Sequence, residues 1–299
     1  MGRKITVFST FDGISCGHVA LDRAGIEVEK YYASEINKDS IAITQHHYPE
    51  TIQLGDITKI DGTPYKGKID LFIGGSSCTS LSIAQANRKE FAGESGLFYE
   101  YVRLLKEIEP KYFLLENVNS MSAEARAEIT RHMGVQPIMI NSQLVSAQSR
   151  KRLYWTNIPN VTQPSDKGIK FQDIIEDGYA DREKGLCIAR RYAGFQGSQS
   201  YLCRRYFGKS FGQPVFTSKE DRDLIRAMWE KDTYFKDEEL PHKIIRPMTC
   251  LECERFQTLP DNYTACISSE IARKEAIGNG WTVDVIAHIF KGLADEIHG

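Results

Sequence analysis

Cys78 closes the run Leu71-Phe72-Ile73-Gly74-Gly75-Ser76-Ser77-Cys78, where an apolar, strand-like stretch gives way to small residues and delivers a thiol to a turn. A second run of the same design, Tyr112-Phe113-Leu114-Leu115-Glu116-Asn117-Val118, ends on a carboxylate. A thiol is the strongest of the common side-chain nucleophiles, and a carboxylic acid at a neighbouring strand end can hold or protonate the group under attack. Two such strand ends describe a covalent group-transfer site.

A further constellation lies upstream. The segment Phe11-Asp12-Gly13-Ile14-Ser15-Cys16-Gly17 follows an apolar run and opens a helical pattern, so its glycines and backbone N–H groups can admit a ligand close to the chain. It lacks the three-glycine spacing of a dinucleotide fold. Glu35, some twenty residues on at the end of the next strand-like run, can accept the hydroxyls of a ribose, with Ile36 beside it. Asp56 ends the third strand-like segment, and Asp56 with Ile57 offers an acceptor for an adenine amine and an apolar surface for its ring. This is a nucleoside pocket without a phosphate grip, which suits S-adenosyl-L-methionine better than NAD.

These residues need a scaffold. Short β-branched and aromatic runs recur at Ile5–Phe8, Tyr31–Ser34, Asp70–Ile73, Tyr112–Leu115 and Pro137–Ile140. Helical periodicity fills the intervals at Gly17–Ala24, Asp39–His47, Leu97–Ile108 and Ala123–His132. The alternation predicts a doubly wound α/β domain around a mostly parallel sheet. From Pro159 to Lys243 glycine, serine, glutamine, arginine and aromatic residues dominate, with one clear helix at Lys219–Lys231. The expected organisation is a catalytic and cofactor-binding domain over 1–158, an inserted domain over 159–243, and a return to the first domain over 244–299, closed by a helix at Thr282–Ile297.

At 299 residues, with 41% hydrophobic and 26% charged, the chain can bury a full core. The net charge of −2 does not advertise a polyanion partner, so a nucleic-acid surface has to arise from local segregation of charge. Seven scattered cysteines and the absence of a secretory apolar segment after Met1-Gly2-Arg3-Lys4 predict a reducing, cytoplasmic setting. Cys250 and Cys253 have zinc-knuckle spacing but no second close pair, so no metal site is expected.

In order along the chain, Phe11–Gly17, Ser76–Cys78, Glu116-Asn117-Val118, Gln148-Ser149-Arg150-Lys151-Arg152, Arg246-Pro247-Met248-Thr249 with Glu252, Arg255, Gln257, Pro260, Asp261 and Tyr263, and Gly278-Asn279 resemble the motifs of the DNA (cytosine-5) methyltransferases. The wording around Phe11–Ile14, Ala33–Glu35, Arg88-Lys89 and Gly96–Phe98 is most similar to animal de novo methyltransferase catalytic domains and their phage and bacterial relatives. The resemblance implies a class I S-adenosylmethionine-dependent methyltransferase fold with a small inserted target-recognition domain. It implies that Cys78 attacks C6 of a flipped-out cytosine in double-stranded DNA while Glu116 holds N3, that Arg150 and Arg152 steady the ring carbonyl, a phosphate and Glu116, and that Asn117 pins the loop. It assigns the cofactor to Phe11, Asp12, Gly13, Ile14, Gly17, Glu35, Ile36, Asp56, Ile57, Ser76, Leu97, Asn279, Gly280 and Trp281.

DNA contacts are expected from the loop residues Ser80, Ser82, Gln85, Asn87 and Arg88, with Gln85 or a neighbour filling the vacated stack. In the insert, Arg190, Arg191, Arg204 and Arg205 are expected at phosphates, and Gln196, Ser198, Gln199 and Ser200 at base edges. Ser77 stands where the family usually carries proline, and Gly280-Trp281 departs from the usual pair beside Asn279. The resemblance leaves a monomer and a homodimer open, and a restriction-system or a phage setting. An RNA cytosine methyltransferase of similar architecture and a non-catalytic DNA-binding regulator are the competing readings.

Overall fold

The computed structural model describes residues 3–75, 97–209 and 211–298. They divide into two compact units: residues 1–141, 151–164 and 283–299 form the first, and residues 142–150 and 165–282 the second. Residues 244–282 thus cluster with the inserted region, while the last helix belongs to the first unit.

The first unit is built on β1 (Ile5–Thr10), α1 (Cys16–Ala24), β2 (Val28–Ser34), α2 (Lys38–His47), β3 (Ile52–Gln53), β4 (Leu71–Gly74), α3 (Leu97–Ile108), β5 (Tyr112–Val118), α4 (Ala123–Met133) and β6 (Ile138–Asn141). The second unit contributes β7 (Gln148–Ser149), the first β8 (Lys151–Thr156). The first unit's sheet runs in the order β3-β2-β1-β4-β5-β8-β6. From β3 to β5 all pairs are parallel, and β8 is antiparallel to both its neighbours.

All five strands expected from the sequence are present. The unforeseen strand is β8, where Leu153, Tyr154 and Trp155 are buried in succession. A short apolar run next to Arg150-Lys151-Arg152 reads as part of a charged cluster, and only its place between β5 and β6 makes it a strand covered on both faces. The segment ending at Asp56 is shorter than expected: pairing stops at Gln53, and Asp56 caps the turn Ile57–Lys59 through Thr58 N at 3.0 Å.

Consecutive strands β1 and β2 lie on one side, and β4 leaves β1 on the other, so the chain reverses direction across the sheet between β1 and β4. In open α/β sheets, that reversal leaves a crevice at the carboxyl ends of the strands. Phe8, Phe72, Phe98, Tyr101, Leu104, Leu115 and Trp155 form the core beneath it. Helix caps set the loop geometry around it: Asn37 accepts from Ser40 N at the start of α2, and Ser122 from Ala125 N at the start of α4. The last helix, α9 (Val283–His298), packs on α1, with Arg23 paired to Asp284.

The second unit holds β9 (Gly185–Leu186), α5 (Gln199–Lys209), β10 (Pro214–Phe216), α6 (Lys219–Lys231), β11 (Ile245–Pro247), α7 (Cys250–Phe256) and α8 (Glu270–Asn279). Two small ladders, β7 with β9 and β10 with β11, support it. Its interior holds several buried polar side chains that bond to one another. Fully buried Glu252 pairs with Arg246 and accepts from Thr249 N and Glu176 N, and Gln148 donates to Phe256 O and Gln257 Oε1. No helix among the described residues is long and apolar enough to cross a membrane.

Gly74, the last residue of β4, is required by close approach: a Cβ there would meet the Thr10 hydroxyl and come within 2.9 Å of the Tyr101 ring. Gly74→Ala is therefore expected to cost about 2 kcal/mol from overpacking, seen as a lower urea midpoint with an unchanged slope.

Candidate active site

The loop from β1 into α1 turns on backbone that L-residues rarely adopt, with φ of 53° at Phe11, 60° at Gly13 and 54° at Ser15. Two carboxylates hold it. Glu35, at the end of β2, accepts from Gly13 N at 2.8 Å through one oxygen and from Ile36 N and Asn37 N, both at 2.8 Å, through the other. Asp12 is buried and accepts from the hydroxyls of Ser15 and Tyr31, the latter at 2.8 Å. Burial pushes the Asp12 carboxyl up to about 6, against the lowering effect of its hydroxyl donors.

Phe11 packs against the core, Ile14 is fully buried, and Gly17 is buried in the first turn of α1. Ile36 is 73% exposed, which leaves a large apolar side chain next to Glu35. Ile57 belongs to the core, so it supports the Asp56 turn from beneath. Asp56 stays partly exposed, and its carboxyl is held below the usual range by the Thr58 N–H and hydroxyl. Leu97 begins α3 and packs partly buried on the same core.

Tyr31 and Thr44 were not anticipated. Thr44 lies 3.1 Å from the Ser15 hydroxyl, and together with Tyr31 it braces the loop from below. Both look like ordinary core positions in the sequence, which carries no signal of their part in the loop. A cavity of about 480 Å³ lined by His18, Tyr31, His47 and Tyr48 opens at the amino end of β2, the far end of that strand from Glu35. It is separate from the crevice.

At the crevice, β4 pairs Gly74 with Leu115, one residue before Glu116. Glu116 and Asn117 are buried, and the Asn117 side chain accepts from Val118 N at 2.8 Å. Arg152, the second residue of β8, places Nε 2.8 Å from Glu116 Oε1. Arg150 is buried within the second unit, where it donates to Ile188 O at 2.7 Å and to Gly280 O at 3.0 Å. β7 ends before Arg150 and β8 starts after it. Asn279 is exposed at the end of α8, Gly280 caps that helix, and Trp281 is partly buried. Ser76, Cys78, Ser80, Ser82, Gln85, Asn87 and Arg88 lie outside the described residues.

In the second unit Arg190 pairs with Glu275 at 3.4 Å, Arg204 lies over the Tyr234 ring, and Arg191 and Arg205 both lie over Phe211. Gln199 is spent internally, since its side-chain oxygen accepts from Ile244 N and Ile245 N and ties α5 to β11. Ser200 is buried. Gln196 and Ser198 remain the exposed members of that expected base-reading group.

A family model for C-5 cytosine-specific DNA methylases matches residues 5–295. The chain belongs to that family. It is 33% identical over 193 residues to the orphan methyltransferase M.SPRI of Bacillus phage SPR, covering 58% of this chain and 43% of that protein. It is 26% identical over 332 aligned positions to the type II methyltransferase M.FnuDI of Fusobacterium nucleatum, covering 99% and 95%. The chain thus spans less than half the length of the phage relative and nearly all of the bacterial one. Among solved structures, S. pombe Dnmt2 methyltransferase superposes with a TM-score of 0.73 at 18% identity, covering 99% of this chain and 100% of that one. A Spodoptera frugiperda DNMT2 mutant does so at 0.72 and 17%, covering 97% and 99%. These likenesses bear out the mostly parallel methyltransferase fold.

Asp12 gives a pH test. Its carboxyl titrates higher in the fold than the ordinary value of 3.8, so its protonated form contributes stability that is full below pH 4 and is lost as pH rises through 6. Asp12→Asn cannot ionise. Relative to wild type it should gain up to about 3 kcal/mol between pH 4 and pH 7 in urea unfolding, and a flat difference across that range contradicts the assignment.

Proposed function

We propose that this chain transfers a methyl group from S-adenosylmethionine to C5 of a cytosine extruded from duplex DNA, through a transient bond between the Cys78 sulfur and C6. The observation that carries the reading is the Glu116–Arg152 pair at the carboxyl edge of β5, beside the end of the strand that leads in sequence to Cys78. It is supported by family membership over nearly the whole chain.

Cytosine C5 is a poor nucleophile until the ring becomes enamine-like. Addition of a thiolate at C6, with an acid holding N3, achieves this. In this reading the Cys78 thiolate adds to C6, and Glu116 holds N3 and the exocyclic amine, oriented by Arg152. C5 then takes the methyl group, loses its proton, and the Cys78 sulfur leaves C6 to restore the aromatic ring. The bound cofactor supplies an electrophilic methyl on a sulfonium.

The residues present fit such a group. Gly13 and Ser15 turn the backbone toward the crevice, Ile36 offers an exposed apolar face for a base, and Asp56 offers a carboxylate held ionised near neutral pH. Glu35 already accepts three N–H groups, which leaves a carboxylate about one acceptor site for a ribose hydroxyl. Arg150 acts as a positioning residue, holding the Gly280 carbonyl beside Asn279 and Trp281. Extrusion of the base costs a few kcal/mol of stacking, and Ser80, Ser82, Gln85, Asn87 and Arg88 are assigned to that step by their place after Cys78. The region 159–243 is assigned to target recognition.

The test is incorporation of labelled methyl groups from S-adenosylmethionine into duplex DNA and, in parallel, into tRNA. Label in C5 of DNA cytosine is expected; label in tRNA alone would move the activity to RNA, and no transfer to either would favour the non-catalytic regulator. Glu116→Gln keeps the shape but weakens the hold on N3, and kcat should fall about 10²- to 10³-fold with cofactor affinity intact.

A further inference from the structure

We infer that Arg191 and Arg205 grip a single backbone phosphate of the duplex between them, with Phe211 as the platform that fixes both guanidiniums. The inference rests on the DNA-methylating reading above. The guanidinium carbons lie 4.8 and 4.1 Å from the centroid of the same ring. The two charges are therefore held within about one Debye length of each other at 0.1 M salt.

Like charges kept this close are normally neutralised within the protein. Elsewhere in this unit Arg190 pairs with Glu275, Arg246 with Glu252, Arg255 with Asp261 and Arg273 with Glu254. Among the described residues Arg191 and Arg205 pair with no carboxylate, and Arg205 Nε is buried with no hydrogen-bond partner. Stacking on a ring uses the face of the guanidinium and leaves its N–H edge to find an acceptor. Two such edges on one ring would suit the paired non-bridging oxygens of a phosphodiester.

The platform is anchored in the core. Phe211 N–H donates to Arg205 O at 2.9 Å, which ties the ring to the end of α5. Its ring meets Phe195 edge-on at 6.0 Å, and Phe195, fully buried, stacks on Tyr192 at 5.6 Å. Gly212, at φ 78°, admits this arrangement because a Cβ there would strike the Phe195 ring. An aromatic ladder thus runs from the interior to the surface and ends in two cations. Arg191 comes from the turn Arg190–Gly194 and Arg205 from α5, so the site exists only once this unit has folded.

The experiment is an anisotropy titration of a cytosine-containing duplex at several NaCl concentrations with the full chain. Each phosphate contact contributes about 0.9 to the slope of log K against log salt. The double variant Arg191→Gln/Arg205→Gln, which changes one exposed and one half-buried side chain, should lower that slope by about 1, because one phosphate is shared. An unchanged slope overturns the proposal, and a fall of about 2 overturns it also, since the arginines would then hold separate phosphates. Phe211→Leu removes no charge yet should weaken binding about fivefold through loss of the platform, and undiminished affinity in a folded Phe211→Leu chain counts against it. If wild type methylates duplex cytosine while the double variant keeps the wild-type slope, the clamp alone fails. If wild type transfers no methyl group to duplex DNA, the functional reading fails, and the clamp then stands or falls on the salt slope alone.

Discussion

The pairing of Arg152 with Glu116 across the β5–β8 ladder is the interaction on which the crevice depends. A carboxylate at the end of a buried strand has lost most of its water, and a guanidinium 2.8 Å away is what makes its position tolerable. The antiparallel direction of β8 makes this possible. A parallel strand in that place would bring its last residues to the carboxyl edge of the sheet. An antiparallel strand brings its first, so Val118 lies opposite Arg152 and the basic start of β8 meets the acidic end of β5. The reversal of one strand turns a charged cluster that reads as solvated surface into a support for a buried acid.

A similar economy governs the other side of the crevice. Left-handed backbone at Phe11 and Ser15 is unfavourable for residues with a Cβ and persists only where neighbours over-determine it. Glu35 does so by bridging Gly13 to the start of α2, and Asp12 by collecting the Ser15 and Tyr31 hydroxyls. Carboxylates thus shape this loop before any ligand arrives, so binding there has little ordering entropy left to overcome. In the second unit the fully buried Glu252 and Glu254 are each paired with an arginine, which sets apart the two cations over Phe211.

Much of this was legible in the sequence. Four of the five apolar runs became parallel strands, which are apolar because both faces are covered, the fifth became the antiparallel edge strand β6, and α3 and α6 have the boundaries their periodicity predicts. Strand β8 was not legible, since its three buried residues are too few to carry a period and its neighbours are charged. Helix α5 was missed because Arg204, Arg205 and Tyr206 break up its apolar stripe. Glu116 was legible as a carboxylate ending an apolar run. The bonds of Arg150 to Ile188 O and Gly280 O were not, because they join segments far apart in the sequence.

Bond formation at a pyrimidine carbon can be read out by covalent trapping. Duplex DNA carrying 5-fluorocytosine, incubated with the chain and S-adenosylmethionine, cannot release the fluorine from C5 as a proton is released, so the sulfur stays attached to C6. A stable protein–DNA adduct is expected, with a peptide map that places the bond at Cys78, and none is expected from Cys78→Ser. Methylation of ordinary cytosine by a chain that forms no adduct, or an adduct mapped to another residue, would contradict it.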